Sequence, residues 1–533
     1  MTTGALASPK AVDVAAAADD LVSDLMLRPW GTVSPSVYET ARLVSLAPWL
    51  IGHRERLDFL LRTQQPDGHW GRPDGYGLVP TLSATEALLS SLGRPGRTDD
   101  EAMILAADLG LRWTLRRLAE DEGPAFPDTP AIELIVPSLI ELVNGHLDRL
   151  EDAAVTPAVH QRLRLPASMS HRTLTAVRAR MASGAALPEK LLHALEVVGD
   201  AARGAHNVLP SSIGTVGASP AATAAWINED MPRDPEEAAR RHLEAVVRRH
   251  DGPVPVGFPI TVFERGWVLS WLARAGIPFD VPAEMLADLR AAIRPEGTAA
   301  GAGLPPDADT TSVALYALAL LGMPCEPESL WTFETPTHFC TWQGEEGSSV
   351  SVNAHVLDAF GQYVAVRPAE SARYAPAMEK ISSWLRHQQG ADGSWQDRWH
   401  ASPYYATVAC GLALHEFGGP ASAVSVREAV RWVLGTQRPD GSWGRWAGTA
   451  EETAYAVQLL LLAADERRVE EAVTRGYRYL LCATDPADGP ALWHDKDLYR
   501  PVAIVRAAVL AALHLVQSNR FVMKRCRQLR PSG

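Results

Sequence analysis

Gln437-Arg438-Pro439-Asp440-Gly441-Ser442-Trp443 is one of three copies of the pattern Gln-x-x-Asp-Gly-x-Trp, the others being Gln64–Trp70 and Gln389–Trp395. Each follows an amphipathic segment: Leu57–Arg62, Ile381–Arg386 or Val430–Leu434. The pattern reads as a helix that ends in a tight turn. Asp-Gly makes the turn because glycine tolerates positive φ. Trp packs back on the neighbouring helix, and the Gln amide can bond backbone groups left open at a helix end. Units of this kind cannot bury their apolar faces singly and must stack. The expected fold is therefore all-α, arranged as an α/α barrel. Asp488-Gly489 with Trp493 reads as a decayed fourth copy.

The chain has 533 residues, room for two or three domains, and its hydrophobic fraction of 47% supports large cores. The abundance of Ala and Leu favours helices. A net charge of −13 argues against non-specific nucleic-acid binding, though it permits a local basic pocket. Cys325, Cys340, Cys410, Cys482 and Cys526 lack metal-ligand spacing and read as reduced thiols of a cytoplasmic protein. Met1–Asp20 is Ala-rich and acidic, without the basic start and apolar core of a secretory signal. No apolar run reaches the roughly 18 residues of a transmembrane helix.

Chemistry is signalled by Leu304-Pro305-Pro306-Asp307-Ala308-Asp309-Thr310-Thr311-Ser312, ahead of the apolar run Val313–Leu321. Residues two apart do not share a helix face. Asp307 and Asp309 therefore belong at an irregular helix start, which Pro305-Pro306 favours. They read either as helix caps or as a paired acid. An ordinary Asp titrates near pH ~3.9. Burial and a neighbouring carboxylate raise that value, whereas a helix N-terminus favours the anion. Glycosidases also use paired carboxyls, but set at least ~5 Å apart on separate segments. A non-enzymatic binding barrel is the remaining alternative, separated by whether the motif faces a pocket.

Together, the repeats and the acid motif resemble the class II terpene cyclases: the repeats are similar to QW repeats, and the motif to Asp-x-Asp-Asp-Thr with Thr310 in the last Asp position. Further family-like segments are Ser34–Ala41, Ile132–Leu139, Leu191–Glu196, Ser219–Ala224, Phe263–Trp267, Ser351–Phe360, Trp399–Ala406, Thr449–Ala456 and Leu492–Val505. The resemblance implies two α/α-barrel domains, β and γ, with the active site between them. It divides the chain into residues 1–45 (first part of β), 46–262 (inserted γ) and 263–533 (main part of β). No Asp-Asp-x-x-Asp motif is present, Asp99-Asp100 being followed by Glu101-Ala102-Met103, so a diphosphate should survive into the product.

In such a cyclase Asp309 would protonate an alkene, with Asp307, Thr310 and Thr311 setting its hydrogen bonds. The Asp-x-Asp-Thr-Thr variant is similar to that of bacterial drimenyl diphosphate synthases. This implies farnesyl diphosphate as substrate, with geranylgeranyl diphosphate as the alternative. Aromatic faces attract cations, and the candidates are Trp342, Trp399, Tyr404, Tyr405, Trp443 and Trp493. Lys496, in a Trp-x-x-Lys-x-x-Tyr segment, is expected to bind the diphosphate, with Arg500 and Arg398 behind it. Mg²⁺ is the expected cofactor, with Glu196 and Asp200 as ligands on one helix face. His193 matches the His of the His/Asn pair that positions a water base in plant copalyl diphosphate synthases, but Val256 stands at the Asn position, so the base is left unassigned.

Overall fold

The computed structural model describes residues 12–94, 101–120, 126–150, 161–228, 234–345, 347–483 and 489–528. Asp99, Asp100 and Asp488 lie outside these residues.

Six helices, Thr261–Arg274, Ala308–Leu320, Val350–Val366, Pro403–Phe417, Ala450–Ala463 and Val502–Ser518, pack each against the next, and the last returns to the first. They form a closed inner ring. Val14–Leu27, Ala283–Ala292, Ser371–His387, Ala423–Gly435 and Glu466–Cys482 cover it from outside. The sequences match these positions. Ala308–Leu320 is apolar on all sides and buried from Thr310 through Ala319, as an inner stave must be. Glu466–Cys482 carries its charges away from buried Val469, Val473 and Tyr477, as an outer helix must.

Val37–Leu46, Leu78–Leu92, Ile132–Leu150, the 3₁₀ stretch Glu189–Ala202 and Pro220–Trp226 close a second ring in the same way. His53–Thr63, Glu101–Leu118, Arg172–Ala182 and Asp234–Arg249 lie outside it. The apolar cores follow this division, one holding Val14–Leu25 with Trp267–Val522, the other Val33–Ile260. The chain therefore crosses between Leu25 and Val33 rather than near residue 45. Tyr38, Ala41 and Val44 bury themselves in the second core, which draws Val37–Leu46 into that ring.

The three repeats share one wiring. Each Gln amide donates to the turn glycine's carbonyl and to a carbonyl of the next outer helix: Gln64 to Gly68 and Ala106, Gln389 to Gly393 and Ser425, Gln437 to Gly441 and Ala472, all at 2.8–2.9 Å. Each indole N–H reaches back to the preceding helix, at Leu60, Leu385 and Val433. The turn glycines have φ of 92–99°. A Cβ on Gly441 would stand 2.8 Å from the Arg475 carbonyl oxygen. Trp493 is no fourth copy: its N–H bonds Glu451, and it sits in the hairpin Trp493–His494 with Leu498–Tyr499. Among the described residues no single helix is long and apolar enough to cross a membrane.

Candidate active site

A cavity of about 1070 Å³, counting its open mouth, lies between the rings. Lys190, His193 and Gly257 come from one ring; Phe263, Asp307, Asp309 and Trp399 from the other. Most walls are segments leading into the N-termini of inner helices.

Asp307 ends a short antiparallel pairing, opposite Thr298, and caps the helix Ala308–Leu320. Both of its oxygens are engaged, one by the Thr310 N–H at 2.6 Å and the other by the Thr310 hydroxyl at 2.9 Å. Burial pushes its carboxyl up to about 7, the Asp309 carboxylate adding to the rise while the Thr310 hydrogen bonds oppose it. Desolvation thus outweighs the helix terminus at this residue. Thr311 is scaffold: it accepts from the Thr298 N–H at 2.8 Å, donates to the Asp307 carbonyl at 2.5 Å, and does not line the cavity.

Asp309 does line the cavity. Its Oδ1 meets His355 Nδ1 at 2.6 Å, and its Oδ2 makes no hydrogen bond among the described residues. His355 was missed in the sequence. Its signal was a histidine inside the apolar helix Val350–Val366, a place where a buried polar group needs a reason. Burial alone would lower the His355 pKa, but the Asp309 carboxylate outweighs it and the net shift is upward.

Trp342, Trp399, Tyr405 and Trp493 line the cavity, joined by Phe263 and Tyr499. The Trp493 N–H and the Tyr455 hydroxyl both donate to Glu451, at 2.9 and 3.0 Å, fixing the rings from behind. Tyr404 and Trp443 do not line it. Tyr404 turns outward against Trp432, ring centroids 4.7 Å apart, and Trp443 is consumed by its repeat.

The expected diphosphate cations are also placed elsewhere. Lys496 sits at the hairpin tip with its ammonium fully buried, paired with Glu39 and, at 3.1 Å, with Glu196, and donating to Ser219 at 2.8 Å. Arg398 lies behind Trp399, bridging Glu345 and Asp128. Arg500 is absent from the lining; its backbone N–H bonds Ser34. Among the described residues, the lysine or arginine that does line the cavity is Lys190. In a 3₁₀ helix residues i and i+3 eclipse, so Lys190 and His193 share a face.

The Mg²⁺ ligands do not assemble. Glu189–Ala202 is 3₁₀, with breaks at Ala194 and Gly199, so Glu196 and Asp200 do not share an α-helical face. The Glu196 side chain is 3% exposed with its Oε1 taken by both Lys496 and Tyr38, whereas that of Asp200 is 94% exposed beside Arg203. Among the described residues no group of three or more metal-ligating side chains gathers. These residues do not fit a resident ion.

His193 Nδ1 faces the Gly217 carbonyl at 2.5 Å, and Nε2 the Asp495 carboxylate at 2.8 Å. Val256, at the expected Asn position, is a buried apolar residue and does not line the cavity.

An acid with one committed and one open oxygen, facing aromatic walls between two helical barrels, is the arrangement of a protonation-initiated cyclase. Known proteins agree. The model of the squalene-hopene cyclase C-terminal domain matches residues 345–501. An ent-copalyl diphosphate synthase of Streptomyces sp. (strain KO-3988) is 44% identical over 94% of this chain and 96% of its own length. The labda-7,13-dienyl diphosphate synthase of Streptomyces clavuligerus is 40% identical over 96% and 94%. The solved ent-copalyl diphosphate synthase from Streptomyces platensis superposes with a TM-score of 0.90 at 46% identity, covering 95% of this chain and 99% of that one. The chain belongs to the class II terpene cyclases, and it is an enzyme of that class.

Proposed function

We propose that this enzyme cyclises geranylgeranyl diphosphate to a labdane-type, copalyl-like bicyclic diphosphate. The observation that carries the reaction type is the open Oδ2 of Asp309 at an apolar wall, its Oδ1 held by His355. Asp309 hands its proton to the terminal alkene, and His355 then faces the carboxylate left behind. An anion formed where the His355 Nδ1–H already points needs little reorganisation. Trp399, Tyr405 and Trp493 turn ring faces or edges to the cavity and offer no strong nucleophile to the ring cation. Lys190 attracts the diphosphate, which stays attached because no Asp-Asp-x-x-Asp motif is present. Mg²⁺ enters this reading only as a counterion arriving with the substrate. The five free cysteines fit a reducing, cytoplasmic setting.

The C20 substrate replaces the C15 expectation because the relatives at 40–44% identity make copalyl and labdadienyl diphosphates. The Thr310 variant, which suggested drimenyl chemistry, acts on Asp307 and not on the far end of the cavity.

The test is incubation with geranylgeranyl and farnesyl diphosphates, alongside Asp309→Ala, with products dephosphorylated and analysed by gas chromatography–mass spectrometry. A bicyclic C20 alcohol, lost in the variant, is expected. Drimenol made from the C15 substrate alone would return the assignment to the shorter chain. No cyclised product from either would overturn the reaction type.

A further inference from the structure

Cyclisation by protonation ends with a cation that must lose a proton, and the cavity holds a second carboxylate suited to take it. We propose that Asp495 is the terminal proton acceptor, through its Oδ2, with His193 as the residue that positions it and keeps it anionic. This rests on the reading of the site as a class II cyclase.

Asp495 stands at the tip of the hairpin Trp493–His494 with Leu498–Tyr499 and lines the same cavity as Asp309. Its Oδ1 is committed twice, accepting from its own neighbour's backbone, Lys496 N–H, at 2.6 Å and from His193 Nε2 at 2.8 Å. Its Oδ2 makes no hydrogen bond among the described residues. A Cβ built on Gly257 would lie 3.2 Å from that oxygen. The glycine thus leaves the oxygen uncovered, and Gly257 itself lines the cavity.

His193 is not available as the base. Both of its ring nitrogens face groups that only accept, the Gly217 carbonyl and the Asp495 carboxylate. Both nitrogens then carry hydrogen, and the ring is an imidazolium. Burial lowers its affinity for that proton, but the Asp495 carboxylate outweighs it and the net shift is upward. Burial raises the Asp495 carboxyl and His193 more than reverses this, so its net shift is downward. A carboxylate so held is a weak base. That suffices, because a C–H bond beside a tertiary carbocation is a very strong acid.

In the step, the electron pair of that C–H bond becomes the new carbon–carbon double bond. The proton goes to Asp495 Oδ2, leaving a neutral carboxylic acid beside the imidazolium. Asp309 has lost one proton and Asp495 gained one, so the hydrocarbon is isomerised with no net change of composition. Water at the mouth of the cavity then takes the proton from Asp495, and solvent restores the one on Asp309.

The test is Asp495→Asn, which keeps an acceptor for His193 and the Lys496 N–H while removing the basic oxygen. Substrate consumption and products are followed separately with geranylgeranyl diphosphate. Consumption is expected to persist, because protonation by Asp309 precedes the step that Asp495 serves. The wild-type alkene is expected to give way to isomeric alkenes or to a hydroxylated product of water capture. Gly257→Ala supplies a second probe that retains the carboxylate; its methyl crowds Oδ2 and is expected to shift the same product ratio in the same direction. The wild-type alkene formed in unchanged proportion by Asp495→Asn overturns the proposal. Complete loss of substrate consumption in Asp495→Asn also overturns it, since the residue would then act before the cation forms. Failure of the wild-type enzyme itself to cyclise any diphosphate would sink the cyclase reading instead, a result told apart by the parent enzyme alone.

Discussion

The acid at the cavity and the cluster around Lys496 both carry ionisable side chains and are both marked by family-like motifs, yet they are wired in opposite ways. At the acid, Asp309 leaves one oxygen open toward apolar space. In the cluster, the Lys496 ammonium meets Glu39, Glu196, Ser219 and the His193 carbonyl together. A buried charge whose partners are complete holds the fold. A carboxyl that keeps an oxygen open toward a cavity is equipped for chemistry. Here the cluster pins the hairpin tip of one ring onto the other.

The largest effect should come from the open oxygen. Asp309→Asn is expected to lower cyclisation by at least about 10³-fold, the upper range for a lost general acid, with little change in melting temperature. A variant that stayed active would move the acid elsewhere and break the contrast. Lys496→Met should act the other way round, leaving two buried carboxylates without their cation. It is expected to cost about 3–5 kcal/mol of stability in urea unfolding. A stable variant with only a raised KM would make Lys496 a substrate ligand after all.

Lys190→Ala sharpens the same comparison at the mouth. Losing one charge-assisted contact of about 1.5–3 kcal/mol should raise KM roughly tenfold to a hundredfold, with kcat less affected. Acidity gives a smaller effect. Asp307 holds its proton up to about pH 7. Above that value Asp307 is a carboxylate, and its negative charge opposes the anion that proton transfer leaves next to it, so kcat should fall roughly fivefold between pH 7 and 8. The sign for stability is the same. Between about pH 3.9 and 7 the folded chain keeps a proton that the unfolded chain has lost, so this group's contribution declines as pH rises through that window. The smallest change should be Thr310→Val, which removes the hydroxyl bond to Asp307. That bond opposes the rise of the Asp307 pKa, so its loss is expected to move the fall of kcat to higher pH in a pH–rate profile, with a stability cost of about 1 kcal/mol.

Much of the fold was legible because its signals are local. The Asp-Gly turns, the returning Trp rings and the bridging Gln amides all act within one repeat and its neighbour. The acid motif was legible for the same reason, since Asp307 and Thr310 complete their contacts within four residues. What failed depended on distant partners. Nothing near Lys496 announces Glu39 and Glu196, which arrive from far along the chain. The spacing of Glu196 and Asp200 presumed an α-helix where the chain is 3₁₀ and broken. His355 and Asp495 were passed over because each becomes meaningful only beside a partner, Asp309 in one case and His193 in the other. Trp443 and Tyr404 show that an aromatic near the right segment can still face the wrong way.

The order in which the rings close bears on how the protein is made. The second ring is an insertion whose staves are all contained in Val37–Trp226, with its core complete by Ile260. The host ring closes only when Val502–Ser518 meets Thr261–Arg274, and the early helix Val14–Leu27 packs on that same last stave. During synthesis the inserted ring can therefore finish while the host still lacks its closing member. The first helix must wait until Val502–Ser518 is made for most of the surface it covers. Its apolar face, Val14, Ala18, Leu21, Val22 and Leu25, is then the part of the nascent chain with the longest need of shelter from solvent and from other chains.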